Sequence, residues 1–161
     1  MLGALLLFSC GSAKTSVTGT VHFTPIDLSH ASYVPDKNTG HLSIIISTDE
    51  NPCDPLSNGQ QLALTLFGND SNPQQPGTYS VKPGTDHTVT AGLVVAMGQC
   101  PNPTDVTAAE GTVTLTAVGI DTDHPAAGSV DLKFGADSVA GVFSARLCGY
   151  DANNIPGLPC R

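Results

Sequence analysis

The feature that most constrains this chain is a period of two. From residue 17 onward, apolar and polar residues alternate in short runs, and Gly, Pro, Asn and Asp clusters separate them. Alternation places every second side chain on one face, which is the pattern of a half-buried strand. "TVTLTAV" sets Val113 and Leu115 against Thr112, Thr114 and Thr116. "GSVDLKF" sets Val130, Leu132 and Phe134 against Ser129, Asp131 and Lys133, and "VAGVFSARL" sets Phe143, Ala145 and Leu147 against Ser144 and Arg146. "GADS" between the last two reads as a hairpin turn, so these three runs predict an antiparallel meander with one wet face.

The same theme runs upstream. Val17, Gly19, Val21 and Phe23 alternate with Thr18, Thr20 and His22. Leu42, Ile44 and Ile46 share one face, as do Leu62, Leu64 and Leu66, and "GTYSVK" turns Tyr79 and Val81 inward. "GLVVAMG" is continuously apolar, as a central strand covered on both faces would be; a short buried helix has the same composition. With 17 Gly and 12 Pro in 161 residues, the chain is turn-rich, and no long stretch carries a helical period. The expected fold is all-β: an antiparallel β-sandwich, Ig-like or Greek-key-like, of about eight or nine strands, with a β-barrel as the alternative. No internal repeat or linker appears, so residues 17–161 are read as one domain.

The start of the chain has a different character. "LLLFSCG" closes an apolar run, residues 2–8, that is far too short to span a bilayer, which takes about 20 residues. The run fits the end of a signal-peptide apolar region. Leu7, Phe8, Ser9 and Cys10 resemble the bacterial lipobox, with Leu three places before the cysteine and a small residue directly before it. That resemblance implies cleavage between Ser9 and Cys10, removal of residues 1–9, and a diacylglycerol thioether on Cys10, usually with an acylated amine such as a palmitoyl amide. Phe8 is bulkier than the lipobox norm, and no basic residue precedes Lys14. Gly11 stands where an inner-membrane retention signal would show Asp, so likeness to Gram-negative lipoproteins implies the outer membrane. The small polar stretch "GSAKTS", residues 11–16, reads as a tether with a reach of about 20 Å.

With Cys10 lipidated, four of the five cysteines remain. In an exported chain they read as two disulfides, and four cysteines allow three connectivities. Cys148 and Cys160 bracket the turn-rich "CGYDANNIPGLPC", which makes them the preferred pair, and Cys53 then joins Cys100 by elimination.

Candidate chemistry is sparse. The net charge of −8, from 14 acidic and 6 basic residues, opposes binding to a phosphate backbone, so no nucleic-acid partner is expected. His22, His30, His41, His87 and His124 are scattered without metal-ligand spacing. There is no nucleophile elbow and no phosphate-binding loop, and no cofactor is expected. Oxygen-rich loops are the one metal alternative: Asp49, Glu50 and Asp54 in one, Asp121 and Asp123 in another, as weak calcium candidates beside the ordinary turn chemistry of Asp. Tyr150, with Asn153 and Asn154, marks a possible ligand-binding loop.

The closing stretch "GSVDLKFGADSVAGVFSARLC" is similar to the end of small uncharacterised lipoproteins of myxobacteria and relatives. These close on a G-x-F-x-A-x-x-C strand, matched by Gly141, Phe143, Ala145 and Cys148. The resemblance implies no activity. The expectation is therefore a non-enzymatic protein of the cell envelope, held to the membrane by a lipid on Cys10, with a structural or interaction role toward an envelope protein or ligand. The alternative is a ligand- or calcium-binding module using the acidic loops or the Tyr150 loop.

Overall fold

A computed structural model describes residues 14–35, 40–53, 59–67, 75–81, 88–96, 104–118 and 124–148. All its regular elements are strands: β1 (Ser16–Val21), β2 (Thr24–Leu28), β3 (His30–Pro35), β4 (Leu42–Ser47), β5 (Gly59–Phe67), β6 (Gly77–Val81), β7 (Thr88–Ala96), β8 (Thr104–Thr107), β9 (Glu110–Ala117), β10 (Ala126–Phe134) and β11 (Asp137–Leu147). "GLVVAM" falls mainly within β7, which settles that stretch as strand. The expected meander is present, with β9, β10 and β11 paired antiparallel in order. Phe134 faces Asp137 across the turn, and Gly135 takes φ +70° as the first of its two central residues, a position glycine fills without a Cβ clash.

The expected antiparallel sandwich is not what forms. Eight strands close a ring in the order β3, β4, β5, β7, β6, β9, β10, β11 and back to β3, so the fold is the mixed β-barrel that stood as the alternative. Every pairing in the ring is antiparallel except two short parallel seams. One joins β6 to β7 at Ser80↔Thr88 and Val81↔Val89, and the other joins β11 to β3 at Arg146↔Ser32 and Leu147↔Tyr33. Two long strands make closure possible. β7 pairs with β6 near its start and with β8 from Gly92 to Val95; β11 pairs with β1 from Val139 to Val142 and with β3 at Arg146 and Leu147. Each long strand thus serves two neighbours on one side, and closure removes the unpaired edges that two separate sheets would leave.

The barrel interior is a packed core. Tyr33, Tyr79, Phe143, Leu42, Ile44, Ile46, Leu62, Leu64, Leu66, Leu93 and Leu115 are fully buried. An eight-stranded barrel is just wide enough for side chains to fill. Cross-strand partners Gly128 and Phe143 show the fit: a Cβ on Gly128 would sit 3.0 Å from the Phe143 ring. On β9 and β10 the outer face carries Thr116, Asp131 and Lys133, all exposed.

Three strands escaped the alternation pattern for identifiable reasons. β3 is buried on both faces from Ala31 to Val34, so its sequence does not alternate. In β2, Pro25 interrupts the run, and Pro is tolerated there because β2 is an outer strand of the sheet. β8 has only four residues. The expectation for Phe23 also needs correction. β1 ends at Val21, the chain turns at His22 and Phe23, and Phe23 is 97% exposed instead of sharing the buried face of Val17 and Val21.

Candidate functional site

Two places on the barrel concentrate unusual features. The first is the loop after β4. Ser47 Oγ accepts from the Asp49 N–H at 3.0 Å, and Asp49 Oδ1 accepts from the Asn51 N–H at 3.2 Å, an Asx turn. Arg146, projecting from β11, donates to Asn51 Oδ1 at 2.5 Å and to the Glu50 carbonyl at 3.4 Å. A disulfide between Cys53 and Cys148 closes the loop, with Cα atoms 5.6 Å apart, and packs with Val34 in a small cluster of its own.

This bond corrects the expected pairing. Cys53 joins Cys148, so neither Cys148–Cys160 nor Cys53–Cys100 forms; Cys100 and Cys160 lie outside the described residues. The cause is topological. β3 lies between β4 and β11, pairing with both, which brings the loop after β4 to the end of β11 across 95 positions of sequence. The Cys148 N–H also donates to the Tyr33 carbonyl at 3.0 Å, continuing the β11–β3 seam to the disulfide itself.

One of the loop's carboxylates, that of Asp49, is engaged in local structure. Asp49 holds the Asx turn, and the Arg146 guanidinium sits on two neighbouring oxygens of the loop, the Glu50 carbonyl and the Asn51 side-chain amide. A fixed positive charge there opposes calcium. Asp54, Asp121 and Asp123, the other calcium candidates, lie outside the described residues, as do Cys10, Tyr150, Asn153 and Asn154. Among the described residues, no group of three or more His, Cys, Asp or Glu side chains is placed to hold a metal. Of the histidines, His30 Nδ1 on β3 lies 3.1 Å from Ser29 Oγ, and His41, just before β4, stacks edge-on to Phe67 at 4.8 Å.

On β3, Ser32 Oγ is buried and has no hydrogen-bond partner among the described residues. An orphaned buried hydroxyl costs about 1–3 kcal/mol. Ser32→Ala should therefore raise stability by roughly 1 kcal/mol, read as a higher urea midpoint with unchanged slope; a lower midpoint would show that the hydroxyl has a partner in solution.

The core tyrosines are structural in their contacts. The Tyr79 hydroxyl donates to the Gln75 carbonyl at 2.8 Å, and the Tyr33 hydroxyl donates to the His124 carbonyl at 3.3 Å. Burial pushes the Tyr79 hydroxyl above its ordinary range, with the Gln75 bond offsetting part of that shift. Tyr79 is thus a neutral donor at physiological pH.

The second place is the tip of the β1–β2 hairpin. Val21 pairs with Thr24, leaving His22 and Phe23 as a two-residue turn with φ +48° and +63°. Turns with two positive φ values strongly prefer Asn-Gly, because a Cβ in the left-handed region costs on the order of 1 kcal/mol per residue. The turn is nevertheless well held. The His22 N–H donates to Asp137 Oδ2 at 2.8 Å. Gln60 on β5 grips the outer edge of β2, donating from Nε2 to the Pro25 carbonyl at 2.7 Å and accepting at Oε1 from the Asp27 N–H at 3.3 Å. The amide side chain thus takes the place of a neighbouring strand and protects the edge. Sequence reasoning missed this tip because the alternation runs unbroken through Phe23.

The chain was compared with known protein families, with curated proteins and with solved structures, and none of them matches it.

Proposed function

We propose that the protein is a lipid-anchored module of a Gram-negative cell envelope, acting by binding or by structural support and not by catalysis. The "LFSC" close of the N-terminal apolar run carries this reading. Its likeness to the lipobox implies an acylated Cys10 at the outer membrane, and the small myxobacterial lipoproteins share the closing strand pattern. The way Thr15 is held supports it too. Thr15 is buried, its hydroxyl donates to the Ser144 carbonyl at 3.3 Å, and it accepts from the Ser144 N–H at 3.0 Å. Five chain steps separate Cys10 from this fixed residue, a reach of about 18 Å. An acyl group on Cys10 would therefore hold the barrel close against the bilayer. The filled barrel interior favours recognition at the outer surface over chemistry in a central cavity.

Cys10→Ala, followed by fractionation of cells, tests the anchor. The variant should leave the membrane fraction and appear in the soluble one, while labelled palmitate should be incorporated by the parent chain only. Membrane association that persists in the variant would overturn the reading.

A further inference from the structure

We propose that the His22–Phe23 tip is a binding finger for another envelope protein, one that offers an apolar pocket bordered by basic residues. Three observations carry this, and it rests on the lipid-anchored reading for its orientation and for the partner's place in the envelope.

The first is local. Phe23 is 97% exposed on a backbone in the left-handed region at φ +63°. A bulky residue there is a conformational outlier, and its ring contributes no core packing. Neither choice helps the barrel fold. The tip is also preorganised, since Asp137 fixes the His22 N–H and Gln60 holds β2 from its other side. A rigid aromatic on a fixed turn loses little freedom when it enters a pocket.

The second is position. The chain enters the barrel at Thr15, and β1 then carries it about 20 Å to the turn. The tip lies at the opposite end of β1 from the tether. A lipid on Cys10 would put the tether end toward the bilayer and point the finger away from it.

The third is charge. Asp137 lies at the tip itself, bonded to the His22 N–H, and Asp27 is exposed on β2, while Asp131 and Glu110 stand further round the sheet on β10 and β9; among the described residues of these strands the one ammonium is Lys133, 3.8 Å from Glu110. With a net charge of −8, this surface repels anionic lipid and is complementary to a basic rim.

A photoreactive phenylalanine analogue at position 23 of the full-length chain, irradiated in the cells that make it, is the first arm of the test. One discrete adduct with another polypeptide is expected, and the same analogue at Thr18 should not give it. The polypeptide identified by mass spectrometry is then purified and its affinity measured for the full-length chain. Phe23→Gly should weaken binding at least about tenfold, with no fall in melting temperature because glycine accepts this φ. Affinity should also drop as salt rises. Adducts with lipid alone, adducts with a second copy of this chain, the absence of any adduct, or equal binding by Phe23→Gly would each overturn the proposal. Its failure is separable from failure of the anchor, because fractionation of Cys10→Ala reads only the anchor.

Discussion

Cys148→Ala is expected to lower stability by about 4 kcal/mol, and the melting temperature by on the order of 10 °C. The bond it removes closes a loop across 95 positions, and long loops restrict the unfolded chain most in the entropy account. The native state contributes as well. Both half-cystines are buried with Val34, and the bond ties the loop after β4 to the last residue of the β11–β3 seam. That parallel seam has only two residue pairs, so the barrel closes there on few ladder bonds. Cys53→Ala should match Cys148→Ala, and the double variant should cost no more than either single one. Urea unfolding of the four proteins checks this; additive losses would show that the two cysteines act independently. Reductant should lower the urea midpoint of the parent chain by more than that of the double variant, which lacks this bond.

Phe143→Ala is expected to cost about 3–5 kcal/mol, a large share of the roughly 5–15 kcal/mol that holds a typical domain together. The ring is almost fully buried and lies over Gly128, its cross-strand partner, where no Cβ fills the space. Removing it leaves a cavity between β10 and β11, with backbone on one side that a neighbouring side chain cannot readily fill. Phe143→Leu should lose less than half as much, because part of the volume remains. The measurement is the denaturant midpoint of each variant with its slope; equal midpoints for the alanine and parent chains would mean that the core closes over the site.

Much of the strand content was legible because alternation is a local property. Val113 and Leu115, the triplet Val130, Leu132 and Phe134, and the triplets Leu42, Ile44, Ile46 and Leu62, Leu64, Leu66 all face the core as their spacing required. The meander of β9, β10 and β11 followed from short connections, where neighbours in sequence become neighbours in space. Other elements were hidden for equally local reasons. β3 is covered on both faces, so it lacks the period that reveals a strand. The β1–β2 turn uses His22 and Phe23 in place of Asn-Gly, so no turn signal marks it, and Phe23 falls in phase with the buried residues before it.

The candidate site shows the same division. Asp49 and Glu50 could be named from composition, but only the fold places Arg146 on the oxygens beside them. Cys53 and Cys148 were visible as cysteines while their partners were not, because pairing depends on which strands lie between them. By itself, then, the sequence determined which residues point inward, where most strands run, and the apolar stretch ending at Cys10. Tertiary structure alone decided that the sheet closes, that Cys53 meets Cys148, and that Phe23 stands in solvent. A residue's preference for a face depends on its immediate neighbours along the chain. Closure depends on the two-residue seam between β11 and β3, strands from opposite ends of the chain, and it forms only when the whole ring of contacts forms with it.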